Sequence, residues 1–288
     1  MLSGVILAQQ SRFLPWQCSF RSTFRLFPDP SGQRDQLDVF LASDGKTMEE
    51  VLAALPYHRA RAATPGELPN AKRYRDGRQL LRTVGLVYDE ADGKTWRLHV
   101  TDLGHAVRRW RPLINTRNST VLGRHAAQAL AACQLRNPTR EGRRYGPDVV
   151  VFPFAFIWRS MLALDGWISS EELNRAIFRT ENEDDLQDAI NRIRIARRCN
   201  DPSILGDEVV TERAKNDRIL VWMAWASFGW TLIGDKRQST SGVYEIAPNA
   251  ERLLSEAAAL KHRHRDFTNE INYIEYISEC AGLPEDLR

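Results

Sequence analysis

This sequence predicts a mostly α-helical chain with small β-hairpins, an α+β fold built as two similar modules, and three observations predict it. Leu37 to Trp110 and Phe154 to Leu260 show the same order of patterns: a short helix pair, an Arg-studded amphipathic helix, a β-hairpin and a closing helix. In each copy the apolar period changes from 3.6 to two at the hairpin, GLVYDEADGKTWRLHV in the first and GWTLIGDKRQSTSGVYEI in the second. A length of 288 residues with 43% hydrophobic content is enough for two ordinary cores. That order of elements is the winged helix-turn-helix, whose third helix fits the major groove of DNA while the hairpin wing lies along the backbone. The expectation is therefore tandem winged helix-turn-helix modules.

Residues 1–34 read as an N-terminal arm. Pro15, Pro28, Pro30 and Gly32 break any regular pattern there, and Trp16 and Phe20 alternate with Arg21 and Arg25. Two readings stay open: an arm that offers Arg21 to phosphate, or a clamp that ties the chain end down. The first module, residues 35–112, begins with a helix over Leu37 to Ala42, ended by Asp44 and Gly45. A second helix starts near Thr47, whose hydroxyl can cap the amides at Glu49 and Glu50. The third runs from Pro69 to Val84, with Ala71, Tyr74, Gly77, Leu81 and Val84 as its buried stripe. Lys72, Arg73, Arg75, Arg78, Gln79 and Arg82 occupy its other faces. Arg pairs bidentately with guanine and Gln with adenine, so these are the candidate base-reading residues; the alternative is a solvated basic face on a bracing helix.

After Gly85, Leu86, Tyr88, Trp96, Leu98 and Val100 are the inward positions of two strands, joined at Ala91-Asp92-Gly93. Lys94 and Arg97 flank the turn, as phosphate contacts or as solubilising charge. Thr101 caps a helix sealed by Leu103, Val107 and Trp110. Residues 113–150 form a helical bridge and a basic loop: Asn115 to Leu135 is helical, with Val121, Leu122, Ala126, Leu130 and Ala131 on one side, and Arg136, Arg140, Arg143 and Arg144 follow in the loop. Those arginines either track the DNA backbone or belong to a plain linker.

The second module, residues 151–260, opens on the apolar helix FPFAFIWRSMLALDG. Ser169 or Ser170 caps the next helix, and Leu173, Ala176, Ile177 and Phe178 face the core. Acidic Glu181, Glu183, Asp184 and Asp185 gather where the following helix begins, a position the macrodipole favours. Its buried stripe is Leu186, Ala189, Ile190, Ile193 and Ala196, which leaves Gln187, Asn191, Arg194, Arg197 and Arg198 as a second candidate reading face. An insertion, CNDPSILGDEVVTERAKNDR, delays the wing; RILVWMAWASFGW then supplies aromatic core, and the wing tip carries Lys236 and Arg237. Residues 261–288 form a C-terminal helical tail with Phe267, Ile271, Ile274 and Ile277 along one face, for partner binding or capping. His262 and His264 are expected in solvent.

The net charge is only +3, yet it is concentrated. Residues 56–85 hold seven Lys or Arg against Glu67 and Asp76, and residues 106–145 hold nine Arg against Glu141. Clustered positive charge suits a polyanion, because each neutralised phosphate releases counterions; solvated helix faces would give the same clustering. Cys18, Cys133, Cys199 and Cys280 form no CxxC or zinc spacing, so reduced structural thiols are expected. MLSGVILAQQSRF lacks a basic leader and a cleavage site, and no apolar run is long enough for a membrane span, which predicts a cytoplasmic protein with no membrane partner. There is no HExxH, GxGxxG or P-loop lysine.

WQCSFRSTFRLFPD, the basic helix before GLVYDEADGKTWRLHVTDLG, and VVVFPFAFIWRSMLALDGWISSEELNRAIFRTENEDDLQDAINRIR resemble, over residues 13–198, the DNA-recognition region of AlwI-type restriction endonucleases, which are FokI-like type IIS enzymes. The resemblance implies recognition of double-stranded DNA through tandem winged-helix subdomains and cutting by a separate nuclease domain. That nuclease chemistry is missing from the pattern. An Asp followed by a Glu/Asp-x-Lys strand would be needed to hold a divalent metal, and after Pro147-Asp148 none follows; Glu212-Arg-Ala-Lys215 has one residue too many. The chain also stops about where the family's catalytic domain would begin. The leading expectation is a sequence-specific DNA-binding protein of a restriction or anti-phage defence system, without cofactor, acting with a nuclease on another chain docked through the tail. The alternatives are a Mg²⁺-dependent restriction endonuclease built on Asp148, Asp165 or Asp207, and a winged-helix transcription regulator.

Overall fold

A computed structural model of the chain describes Trp16 and residues 36–55, 71–110, 119–139, 142–206, 219–227, 233–235 and 242–285. These residues form a mostly helical α+β structure with two small antiparallel sheets. None of the described helices is long and apolar enough to cross a membrane.

In the first unit α1 (Gln36–Leu41) and β1 (Lys46–Thr47) lead into α2 (Met48–Ala54). Thr47 closes a capping box: its hydroxyl accepts from the Glu50 amide while the Glu50 carboxylate accepts from the Thr47 amide. Next come α3 (Ala71–Thr83), β2 (Val87–Asp92), β3 (Thr95–Val100) and α4 (Asp102–Trp110). Asp92 pairs with Thr95, so both strands run further than the alternation suggests and the turn shrinks to Gly93-Lys94. The sheet order is β1-β3-β2.

The second unit repeats the topology. It contains α6 (Pro153–Ala163), β4 (Trp167–Ser169), α7 (Ser170–Arg175), α8 (Leu186–Cys199), then β5 (Ile233–Asp235), β6 (Val243–Ile246) and α10 (Glu251–Ala258), with sheet order β4-β6-β5. One extra helix, α9 (Leu220–Ala226), precedes the hairpin. Ser169, not Ser170, caps α7, in a capping box with Glu172. At its other end α8 stops on Asn200 in the left-handed conformation, φ 52°, which Asn tolerates better than most residues.

Between the units lies α5 (Ser119–Ala132), which contacts α6, α10 and the tail helix α11 (Glu270–Cys280). Ala126, Ala127, Ala129, Leu130, Ala131 and Ala132 are all buried, so the second half of α5 is covered around its circumference rather than on one side. Small side chains allow that close approach of several helices at once.

Two long-range ties complete the core. Trp16 is fully buried in the second unit, stacked on Phe178 at 5.1 Å and edge-on to Phe156 and Trp222. Its indole donates to the Thr180 carbonyl at 2.9 Å, and its own carbonyl accepts from Trp222 Nε1 at 3.0 Å. At Trp16, then, the arm is a clamp, and it clamps the distant unit. The tail is the other tie. Tyr273, Ile274, Tyr276 and Ile277 are buried, and the Tyr273 hydroxyl donates to the Thr83 carbonyl and accepts from the Gln134 amide. Ile277 presses on Gly85, where a Cβ would meet its Cγ2 at 2.8 Å. The tail therefore turns Ile274 and Ile277 inward as a cap; Ile271, expected on that same face, is 45% exposed.

Candidate nucleic-acid interface

The arginines of α3 divide by face. Tyr74, Arg78 and Arg82 follow one another at intervals of four, so they lie along one flank of the helix, and Tyr74 is buried. That flank meets the inner face of the hairpin. There Asp89, with a side chain 7% exposed, receives Arg82 at 2.9 Å and Arg78 at 3.4 Å. Glu270, at the start of α11, takes the Arg82 guanidinium through both carboxylate oxygens. Burial disfavours the Arg82 charge, but the Glu270 hydrogen bonds and the Asp89 charge outweigh it and raise its pKa. Through these contacts Arg78 and Arg82 join helix and hairpin, and Arg82 also the tail. In the row beside that flank, three residues before Arg78 and Arg82, Arg75 is exposed and Gln79 half-buried. Lys72 and Arg73 belong to the same helix, with side chains outside the described set.

At the first hairpin Lys94 is exposed in the turn. Arg97 donates to Asp92 at 2.6 Å and to the Gly45 carbonyl at 2.9 Å, stapling β3 to the loop before β1. Trp96, expected inward, is 60% exposed. It pairs with Ala91 close to the turn, beyond the part of the sheet covered by the core.

The α8 helix presents a different balance. Arg197 is the structural member of its set, donating to both Glu172 oxygens and to the Leu164 and Trp167 carbonyls, with its guanidinium 3.4 Å from the Trp167 ring centroid. It locks α8 to β4 and α7. Arg194 reaches back to the Ala163 carbonyl at 2.8 Å. Gln187, Asn191 and Arg198 remain exposed, as do Arg192 and Ile195, which the sequence reading passed over. Ile195 is 41% exposed, while Ala189, Ile190, Ile193 and Ala196 are buried on the opposite side. Gln187 Nε2 donates to Asn191 Oδ1 at 3.0 Å. The exposed stripe thus carries two amides, an aliphatic group and arginines.

In the bridge Arg143 is exposed in the short turn Gly142–Arg144; the Arg144 side chain lies outside the described set. Arg21, Arg140, Lys236 and Arg237 also fall outside the described residues. Arg136 is occupied by Asp266 and the Val149 carbonyl. His262 and His264, expected in solvent, are half-buried against Phe152, and burial lowers both pKa values. Asp148 is exposed and Asp165 occupies a left-handed turn at φ 61° between α6 and β4; Asp207 falls outside the described residues. Among the described residues no three His, Cys, Asp or Glu are placed to hold a metal ion.

No protein-family model matches the chain, and no curated protein matches it.

Proposed function

We propose that the chain is a sequence-specific double-stranded DNA-binding protein built from two winged helix-turn-helix modules, serving as the recognition part of a restriction or anti-phage defence system with a nuclease on another chain. The observation that carries this reading is the repeated topology: in both units helix, short strand, helix, helix, hairpin and helix follow in order, and both sheets place the return strand in the middle. A helix-turn-helix docks by its outward helix. In the second unit that helix, α8, carries exposed amide and guanidinium groups of the kinds that read base edges. Exposed Lys94 in the first hairpin and Arg143 in the bridge are cations of the kind that contact phosphate.

A gel shift of the whole chain on linear duplex, with plasmid and Mg²⁺ in a parallel reaction, tests this. Binding that weakens steeply with salt, without cleavage, supports it. Cleavage by the isolated chain would replace the recognition reading with the endonuclease one, and absence of binding at low salt would remove both.

A further inference from the structure

We propose that α8 reads an adenine–thymine step in the major groove, with Asn191 pairing to adenine and Ile195 lying against a thymine methyl. This rests on the duplex-DNA reading above and gives that reading its base chemistry. Gln187, Asn191, Ile195 and Arg198 recur at intervals of three or four, so they form one exposed stripe opposite the buried Ala189, Ile190, Ile193 and Ala196.

Asn191 enters with its amide already oriented. Its Oδ1 accepts from Gln187 Nε2 at 3.0 Å, which fixes the oxygen end of the amide. An asparagine recognises adenine by donating to N7 while accepting from the exocyclic N6 amine. An amide oxygen has two lone pairs, so it can accept from Gln187 and from N6 together. Gln187 then acts as a positioning residue and Asn191 as the one in contact with the base.

Ile195 lies one turn further along, a rise of about 6 Å, close enough for a neighbouring base pair. It is one of only four large hydrophobic residues that are exposed among the described ones. The thymine methyl is the apolar group that the major groove presents, and an aliphatic side chain is its natural contact. Arg198 in the stripe and Arg192 beside it provide the positive charge for the flanking phosphates.

The test uses the full chain and a randomised duplex pool, followed by atom-level substitutions in the selected sequence. Wild type should select a site containing an A·T step. Asn191→Ala should weaken binding to natural DNA by about five- to 150-fold, the range of one bidentate pair. Replacing one adenine by 7-deazaadenine, which removes N7 and so one of the two hydrogen bonds, should cost wild type part of that, and Asn191→Ala should bind natural and modified DNA alike. Replacing the adjacent thymine by uracil should weaken wild type several-fold and leave Ile195→Ala unaffected. Both side chains are exposed, so unchanged unfolding curves will show that the variants fold. If wild type selects a sequence but Asn191→Ala and Ile195→Ala leave that preference intact, the assignment to α8 is overturned while DNA binding stands. If wild type selects and binds no duplex, the DNA reading falls as well.

Discussion

Replacing Trp16 by Ala should cost the protein a large share of its stability although the residue stands far in sequence from the second unit, which buries it. Its ring is fully buried, stacked on Phe178 and edge-on to Phe156 and Trp222. Truncating a buried aromatic to Ala costs about 3–5 kcal/mol through lost burial and the cavity left behind. The Thr180 carbonyl, which accepts from Trp16 Nε1 at 2.9 Å, also loses its donor. A buried acceptor left unsatisfied costs about 1–3 kcal/mol, though water entering the new cavity would recover part of it. We therefore expect a loss of about 4–5 kcal/mol, within a total stability of roughly 5–15 kcal/mol for a protein of ordinary kind. Trp16→Phe keeps a ring but not the donor and should lose about 2 kcal/mol. Urea unfolding followed by far-UV circular dichroism measures both. An unchanged midpoint for Trp16→Ala would refute the clamp.

Three further outcomes follow from the same contacts. Arg82→Ala should destabilise by about 2–4 kcal/mol, because Asp89 and Glu270 lose the cation between them; combining it with Glu270→Gln should cost less than the sum of the single changes, read from unfolding curves of all three variants. Gly85→Ala should lose about 2 kcal/mol or more, since φ is +76° and the new Cβ would meet Ile277 at 2.8 Å; Ile277→Val on top of it removes only Cδ1 and keeps the Cγ2 and Cβ that clash, so it should give no recovery. His262 and His264 have pKa values held low, by burial first and then by Arg265 and Arg136 respectively. The folded state therefore binds fewer protons than the unfolded one below about pH 6.5, so their contribution is complete above that pH and is lost as pH falls. Changing both to Gln should flatten the decline of the urea midpoint between about pH 7 and pH 5.

Much of the fold is legible in the sequence because local rules and burial agree there. Thr47 and Ser169 each stand three residues before a glutamate, and both close capping boxes. The stripe of Ala189, Ile190, Ile193 and Ala196 follows the helical period and is buried. The candidate interface is harder to read, since an arginine at a helix flank looks the same whether it faces solvent or a carboxylate brought in from afar. Arg82 meets Glu270 across 188 positions, and Arg197 meets Glu172 across 25. Asp89 was hidden by the alternation itself: with Tyr88 taken as inward it should face solvent, whereas the register puts Val87 and Asp89 on the face of Leu98 and Val100, and Tyr88 on the other face beside His99. Around Trp16 the pattern left arm and clamp both open, because the partners that decide are assembled only by the second unit.

Fluorescence anisotropy of the full chain on a labelled randomised duplex, over a series of salt concentrations, tests the proposed function most directly. We predict binding at low salt that weakens at least tenfold between about 50 and 200 mM salt, as release of counterions from several phosphates requires. Failure to bind at low salt, or an affinity indifferent to salt, would contradict it.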